Sequence, residues 1–277
     1  RLSDHRVCSK NDQPHGQLPI GQCNQILLMK RIAAALTLFT RIPFWKWTDI
    51  PSEAYTSAVV FWPLAGWLTG AVTAGVFSGL SFLLPTLPAI ILALVARLLL
   101  TGALHEDGLA DVCDGFGGGR DKESVLRIMK DSHIGTYGTI GLICYFLLVI
   151  SVLASLPYPL IALTIIAIDP FSKFCASQLV NILPYARPEG AKNKIRYPKM
   201  TAFQFIQNML SGCIPLIPLV LTEYQTSLSV ILPAVTLFCL IHLMRRRIGG
   251  YTGDCCGATF SICEAAMLVG VCITVNL

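Results

Sequence analysis

The chain has 277 residues, of which 54% are hydrophobic and only 13% are charged. A soluble globular domain carries about 25% charged residues, so this composition argues against a soluble domain and favours a helical membrane bundle. The formal net charge of +5 is spread through loops and forms no basic stripe, which argues against nucleic-acid binding. Eleven cysteines without a C-x-x-C pair argue against a disulfide framework or a zinc site.

The sequence predicts a polar segment and then an apolar segment before the first membrane helix. Residues 1–25 are polar, and we expect them to be disordered. A single integral-membrane domain is expected over residues 26–277. Its first stretch, 26–45, is apolar but contains basic residues such as Lys30 and Arg41, so we expect it to be interfacial or re-entrant.

Apolar stretches long enough to cross a bilayer, which takes about 20 residues, follow at 57–84, 86–104, 136–156, 158–183, 207–222, 226–243 and 258–277. The sequence therefore predicts an all-α, polytopic membrane bundle with about seven transmembrane helices. Most lysines and arginines fall in the loops 105–135, 184–206 and 244–257, whereas the opposite connections contain none. The positive-inside rule predicts that these three loops face the cytoplasm.

The first of these loops is unusually acidic. Seven of the sixteen acidic residues in the chain fall within it, namely Glu106, Asp107, Asp111, Asp114, Asp121, Glu123 and Asp131. If 104–116 is helical, Asp107, Asp111 and Asp114 lie at positions i, i+4 and i+7 on one face. Crowded carboxylates repel one another unless a cation joins them, and hard oxygen ligands suit Mg²⁺ better than zinc. We therefore predict a Mg²⁺ site for a phosphate-bearing substrate, the alternative being a solvated acidic loop.

A glycine run follows these aspartates. Gly118 and Gly119 precede Arg120, and this pattern permits a nest of backbone N–H groups beside a cation, which suits a phosphate. Glycine runs are often merely flexible, but the neighbouring aspartates favour a binding role here.

The rest of the loop holds candidate acid–base groups. Residues 121–131 have the apolar period of an amphipathic helix. At its end, Lys130 could contact a phosphate and Asp131 could supply a further carboxylate. His105 and His133 flank the acidic segment and are candidates for proton transfer, although a histidine near a membrane boundary is more often structural.

Basic residues elsewhere are candidates for substrate contacts. Arg41 precedes a proline, Arg187 lies in PYARPEG, and RRRIGGYTGD includes Arg245 and Asp254. The alternative for each arginine is an anchor in the headgroup region. Ionisable residues inside predicted spans are expected to be functional or to pair with one another; they are Arg97, Asp169, Lys173 and Glu264.

Five sequence blocks carry a family resemblance: LTLFTRIPF (36–44), FWPLAGWLTG (61–70), the acidic segment (102–138), PYARPEG (184–190) and RRRIGGYTGDCCGA (245–258). In these blocks, and in their order, the chain resembles cobalamin synthase, the adenosylcobinamide-GDP ribazoletransferase family. The resemblance covers essentially everything after residue 30, and the acidic segment is its most specific part. One departure is Lys173, where we expect an arginine, which is a better bidentate phosphate ligand.

The resemblance implies the lower-ligand assembly step of cobalamin biosynthesis. Adenosylcobinamide-GDP and α-ribazole, or its 5′-phosphate, would give adenosylcobalamin, or its phosphate, and GMP. Mg²⁺ would bind Asp107, Asp111 and Asp114, while Asp131 would accept a proton from the ribazole hydroxyl and His105 would be a second catalytic candidate. Substrate contacts would come from Arg41, Gly118, Gly119, Arg120, Lys130, Arg187, Arg245 and Asp254.

The resemblance also implies that the chain is a multi-pass protein embedded in the lipid bilayer of a prokaryotic inner membrane. Its active site would face the cytoplasm. Self-association and association with other cobalamin-assembly enzymes both stay open. The nearest rival is a CDP-alcohol phosphotransferase, which would show D-G-x-x-A-R, whereas here Asp111 follows Ala110. A polyprenyl transferase would need two acidic motifs. A cation transporter would place carboxylates at mid-membrane and often show repeats.

Overall fold

The structure is a computed structural model that describes residues 20–187 and 197–276. Within these ranges the chain forms α-helices and short 3-10 turns and contains no β-strand, which confirms the predicted all-α class. The predicted disordered segment 1–25 lies mainly outside the described residues. The α-helices are α1 (Ile20–Phe39), α2 (Ser52–Thr56), α3 (Trp62–Leu80), α4 (Thr86–Thr101), α5 (Leu104–Gly118), α6 (Lys122–Ile128), α7 (Thr136–Ser155), α8 (Tyr158–Ile182), α9 (Ala202–Cys213), α10 (Leu216–Thr222), α11 (Ile231–Ile248) and α12 (Gly253–Val275).

Five helical segments are long and apolar enough to cross a membrane: Ala58–Leu80, Thr136–Ser155, Tyr158–Ile182, Tyr224–Ile248 and Gly253–Val275. Two further pairs are bent, α4 with α5 by 89° and α9 with α10 by 44°, and they raise the number to seven if each pair is counted once. The prediction of about seven spans is therefore confirmed. Helix α5 thus runs nearly at a right angle to α4 and would lie along the membrane surface where α4 crosses the bilayer.

Helix α1 and the turn after it correspond to the predicted interfacial or re-entrant segment. Small residues of α1, Ala34 and Ala35 among them, are fully buried against the bundle, whereas Met29 is 70% exposed. The 3-10 turn Phe44–Lys46 follows and exposes Trp45. Tryptophan is enriched at membrane interfaces, and the interfacial character of this segment stays a prediction.

The break between α4 and α5 places the acidic helix. Gly102 and Ala103 both have left-handed backbones, with φ of 69° and 58°. Glycine adopts this conformation without penalty, so α4 ends here and α5 leaves at its steep angle. A Cβ on Gly102 would lie 2.3 Å from Nε of Arg41, and the Arg41 backbone N–H donates to the Leu100 carbonyl over 2.7 Å. The segment after α1 is thereby fixed beside the start of α5.

Candidate active site

The predicted aspartate helix is present, and its three aspartates differ in exposure. Helix α5 covers Leu104–Gly118, as expected for 104–116. Asp107 is exposed, Asp111 is half-buried and Asp114 is buried. This gradient shows that α5 turns one side toward the bundle along its length, so the three carboxylates do not share one environment.

Asp114 contacts the next membrane helix. Its Oδ2 accepts the Gly135 backbone N–H over 2.7 Å, and its Oδ1 accepts the Gly138 N–H over 2.8 Å. Both carboxylate oxygens therefore satisfy free N–H groups at the start of α7, where a negative charge is also favoured by the helix dipole. The glycines are needed because a Cβ on Gly138 would lie 2.4 Å from Asp114 Oδ2.

Asp111 has a second carboxylate neighbour that the linear sequence does not reveal. Helix α5 touches the first turn of α12, since a Cβ on Gly108 would lie 2.7 Å from the Asp254 carbonyl oxygen. Partial burial, together with the charges of Asp254 and Asp107, raises the pKa of Asp111 to about 7. The site thus holds more negative charge than its own cations neutralise, which is the electrostatic condition for binding a cation.

The described part of the chain contains no group of three or more His, Cys, Asp and Glu side chains arranged to hold a metal ion. The arrangement at Asp107 and Asp111 fits a different mode of binding. Mg²⁺ keeps several waters and is commonly bound by one or two carboxylates together with substrate phosphates. The Mg²⁺ assignment stays a prediction, and Asp107 with Asp111 is the pair that fits it.

Two of the sequence blocks meet at Asp254. The Ala186 N–H donates to the Tyr251 carbonyl over 2.8 Å, and the Tyr251 N–H donates to the Pro184 carbonyl over 2.9 Å. This isolated bridge aligns the loop after α8 with the loop before α12, and Arg187 reaches Asp254 over 2.8 Å. The structure therefore brings Arg187 and Asp254, both predicted as substrate contacts, to the edge of the acidic helix.

The glycine run at the end of α5 is used differently from the predicted nest. The Gly119 N–H donates to the Gly115 carbonyl over 2.9 Å, and the Arg120 N–H donates to Ser124 Oγ over 3.0 Å. These two amides are therefore occupied within the protein. A Cβ on Gly119 would lie 2.5 Å from Val125 Cγ2, so this glycine permits close packing of α6. The substrate contacts of Gly118, Gly119 and Arg120 stay predictions.

Among the three consecutive arginines, Arg247 makes the contact with the acidic helix. Its Nη2 donates to the carbonyls of Phe116 over 2.8 Å and Gly119 over 2.6 Å, while Arg245 is exposed. Sequence reasoning singled out Arg245 and missed Arg247. A signal was available, because Leu240, Met244 and Ile248 form the buried stripe of α11, and Arg247 lies closer to the centre of that stripe than Arg245 does.

The two catalytic candidates lie in contrasting places. Asp131 is exposed, and its Oδ1 is 2.7 Å from His133 Nδ1 and also accepts the His133 backbone N–H. These hydrogen bonds lower the pKa of Asp131. His105 is buried between the rings of Phe39 and Phe260, at centroid distances of 5.5 and 3.9 Å. His105 therefore belongs to the packed interior, whereas Asp131 faces solvent, as Lys130 does.

The ionisable residues inside the spans were expected either to be functional or to pair with one another, and the structure shows that they pair. Arg97 pairs with Glu264, and Lys173 pairs with Asp169. Lys173 is 1% exposed and lies 4.3 Å above the Phe260 ring. Lys173, which stands where an arginine was expected, therefore packs in the interior and does not face solvent as a phosphate contact would.

Comparison with known proteins finds matches over most of the chain. The family described as Cobalamin-5-phosphate synthase matches residues 31–272. A relative from Leptospira interrogans named adenosylcobinamide-GDP ribazoletransferase is 33% identical over 256 residues, 89% of this chain and 96% of the relative. Relatives of the same name from Azorhizobium caulinodans and Shewanella sp. (strain W3-18-1) are 36% and 38% identical, covering 89% and 83% of this chain and 96% and 88% of their own lengths.

No solved structure matches this chain. The sequence matches nevertheless extend over nearly all of the described helices, and they include every block on which the resemblance rested. The chain belongs to the cobalamin-5-phosphate synthase family.

Proposed function

We propose that this chain is an adenosylcobinamide-GDP ribazoletransferase. It joins adenosylcobinamide-GDP with α-ribazole, or α-ribazole 5′-phosphate, and releases GMP. The observation that carries this assignment is the convergence of separate family blocks on one site, where Asp111 of α5 has Asp254 of α12 and its partner Arg187 as neighbours. Such a site, negative at its centre and cationic at its edge, suits a diphosphate brought in with a metal ion.

The reaction exchanges one phosphorus–oxygen bond for another. A ribazole hydroxyl oxygen attacks the cobinamide-linked phosphorus of the diphosphate, the bond from that phosphorus to the GMP oxygen breaks, and GMP leaves with its electron pair. The hydroxyl proton passes to a base. Phosphoryl transfer needs mainly positioning and neutralisation of charge, and the residues around α5 can provide both.

Asp107 and Asp111 would hold Mg²⁺, which when bound would neutralise charge on the diphosphate and on the departing GMP. The donor set fits because both groups are carboxylates one helical turn apart. Burial, and after it the charges of Asp254 and Asp107, raise the pKa of Asp111, and a bound cation would offset both effects. Asp114 takes a different role. Its two oxygens hold the first turn of α7 against α5, so it orients the helix that carries the other two.

Cationic side chains would bind the phosphate oxygens. Asp254 holds the Arg187 guanidinium at the edge of the site, which leaves further N–H groups of that planar fork for an anion. Arg41 lies across the break before α5, and a guanidinium there would face the start of the acidic helix. The remaining proposed contacts are the exposed side chains of Arg120, Lys130 and Arg245 and the exposed backbone of Gly118.

The base is the pair formed by Asp131 and His133. With Nδ1 of His133 donating to Asp131, Nε2 is the acceptor of the neutral ring. Asp131 then orients the imidazole and stabilises it once it is protonated, as a carboxylate does in other histidine bases. The pair lies close to α5, because Gly135, two residues after His133, donates to Asp114.

The setting follows from the distribution of charge. Five to seven apolar helices make this a multi-pass membrane protein, and the loops that contain the site carry most of the lysines and arginines. By the positive-inside rule, we place the site on the cytoplasmic side of a prokaryotic inner membrane. Both substrates would then reach it from the cytoplasm.

The test is release of GMP by the purified protein from adenosylcobinamide-GDP and α-ribazole, with Mg²⁺ and with EDTA. We expect release with Mg²⁺, together with a cobalamin product, and none with EDTA. Omission of α-ribazole is the control for hydrolysis of the diphosphate. A folded protein that releases no GMP with either lower-ligand substrate would overturn the assignment and turn attention to CDP-alcohol substrates.

A further inference from the structure

A buried ionic cluster connects the acidic helix to three other helices. Nη1 of Arg97 pairs with Glu264 of α12, and Nη2 lies 2.9 Å from the Tyr145 hydroxyl of α7 and 3.5 Å from Glu106 Oε1 of α5. Tyr145 also donates to the second oxygen of Glu264. The side chains of Arg97, Glu106 and Glu264 are each only 5–6% exposed.

Stability alone is a poor explanation for such a cluster. Removing charges from water costs several kcal/mol per ion, and well-packed apolar residues of similar volume often do as well or better. Ionisable groups within membrane bundles mark functional sites for the same reason. The best-attested gain from buried ionic groups is a fixed arrangement of the elements that carry them.

The elements fixed here are the two that carry the acidic site. Glu106 immediately precedes Asp107 in the first turn of α5, and successive residues of a helix point about 100° apart. Glu106 is 4% exposed while Asp107 is exposed, so the inward anchoring of one sets the outward direction of the other. Glu264 lies on the same helix as Asp254, and Arg97 contacts both helices through a single guanidinium.

The break before α5 makes this anchoring necessary. Gly102 and Ala103 are left-handed, so the helical hydrogen bonds of α4 do not continue into α5 and cannot set its rotation. The close approach of Gly108 to α12 fixes the distance between the two helices at that point, and the hydrogen bonds of Asp114 hold the second half of α5 against α7. The ion pairs of Arg97 constrain the first turn of α5, where Asp107 lies.

We propose that Arg97 is a positioning residue, which pairs with Glu106 and Glu264 to hold Asp107 and Asp111 in register with Asp254. This inference rests on the proposed function for its activity readout. The inference predicts that the buried ionic cluster affects metal binding and turnover although none of its side chains contacts a substrate.

The experiment compares two sets of substitutions in the full-length membrane protein. The first set, Arg97→Met with Glu106→Gln and Glu264→Gln, neutralises the whole cluster and leaves no unpaired buried charge. The matched control, Asp169→Asn with Lys173→Met, removes a buried ion pair whose two members both lie on α8 and which contacts α3 through Thr69 but makes no ion pair with α5. Both proteins are checked for folding by gel filtration in detergent, and binding of Mn²⁺ is measured by electron paramagnetic resonance.

For the neutralised cluster we expect kcat for GMP release to fall about tenfold or more, with a smaller change in KM, because small misplacements of catalytic groups are costly. We expect Mn²⁺ affinity to fall about tenfold as well, with both quantities unchanged in the control. A single Arg97→Lys substitution should lose less activity than the triple variant, since it keeps the charge but not the planar fork.

A folded triple variant with wild-type kcat and Mn²⁺ affinity would overturn the inference, as would an equal loss in the control. If the wild type binds Mn²⁺ but releases no GMP, the proposed function fails. The comparison of Mn²⁺ binding between the two variants still decides the role of Arg97 in that case.

Discussion

Arg187 donates a hydrogen bond from Nη2 to Asp254 Oδ2 over 2.8 Å, between residues 67 positions apart in the chain. The contact joins the loop after α8 to the first turn of α12 and places a guanidinium beside the acidic helix. Asp254 in turn contributes to the raised pKa of Asp111. One carboxylate thus connects the cationic and acidic parts of the site.

If Asp254 acts through Arg187, the two positions should not contribute independently. We expect Arg187→Ala and Asp254→Asn each to lower kcat/KM for GMP release by about tenfold, and the double variant to lose little more than the worse of the two. Steady-state kinetics of the four proteins provide the measurement. Losses that simply multiply would show that Asp254 contacts substrate or metal on its own.

Asp111 is expected to be essential for turnover and unfavourable for folding in the absence of metal. Asp111→Asn should lower kcat by about a hundredfold or more, because it removes a charged ligand at a phosphoryl-transfer site. The same variant should melt at a higher temperature than the wild type in EDTA at pH 8, because burial and neighbouring carboxylates disfavour the charged form of Asp111. Glu123→Gln, at an exposed position, is the control, and wild-type turnover by Asp111→Asn would exclude the metal role.

Substitution of Asp114 should lower the melting temperature, whereas substitution of Asp111 should raise it. Asp114→Asn replaces one accepting oxygen by an NH₂ group that faces a backbone N–H of α7. We expect a loss of about 1–3 kcal/mol in stability, visible as a lower melting temperature with and without Mg²⁺. An unchanged melting temperature combined with abolished Mg²⁺ dependence would instead make Asp114 a metal ligand.

Arg247 and Arg245 form a matched pair, since they are two residues apart on α11 and only Arg247 contacts the end of α5. Arg247→Met should destabilise the protein by about 2 kcal/mol, because two carbonyls lose a charged donor. Arg245→Met should leave the melting temperature unchanged. Equal melting temperatures for the two variants would show that the carbonyl contacts contribute nothing to stability.

The proposed base can be tested at His133 and Asp131. His133→Gln should lower kcat about a hundredfold, the usual contribution of a positioned base, and Asp131→Asn should lower it less, because the imidazole remains. The double variant should match His133→Gln alone. If only Asp131→Asn reduces kcat, the carboxylate itself is the base and the histidine merely contacts it.

Helical class, the number of spans and the position of the acidic helix were predictable from the sequence, because each depends on local pattern. Apolar runs of about 20 residues report spans directly. The spacing of Asp107, Asp111 and Asp114 predicted one helical face, and the structure has that helix. The pairing of intramembrane charges was also expected, although the partners of Arg97 were not.

Three assignments depended on contacts between distant segments. Asp114 shares the spacing of the other aspartates, yet it caps α7 because Gly135 and Gly138 approach it from the next helix. The amide of Gly119 and the amide of Arg120 that follows it are occupied by neighbours within the protein. His105 lies inside the bundle because α1 and α12 close over it with Phe39 and Phe260.

The sequence by itself determined that this is a helical membrane protein with an acidic helix between spans, because hydropathy and helical period are properties of consecutive residues. Only the tertiary structure decided which carboxylates share a site. Asp254 becomes a neighbour of Asp111 through the 89° bend after α4 and the close approach of Gly108 to α12. A break in backbone hydrogen bonding sets that angle, and the packing of distant helices, which no local pattern encodes, selects the partner.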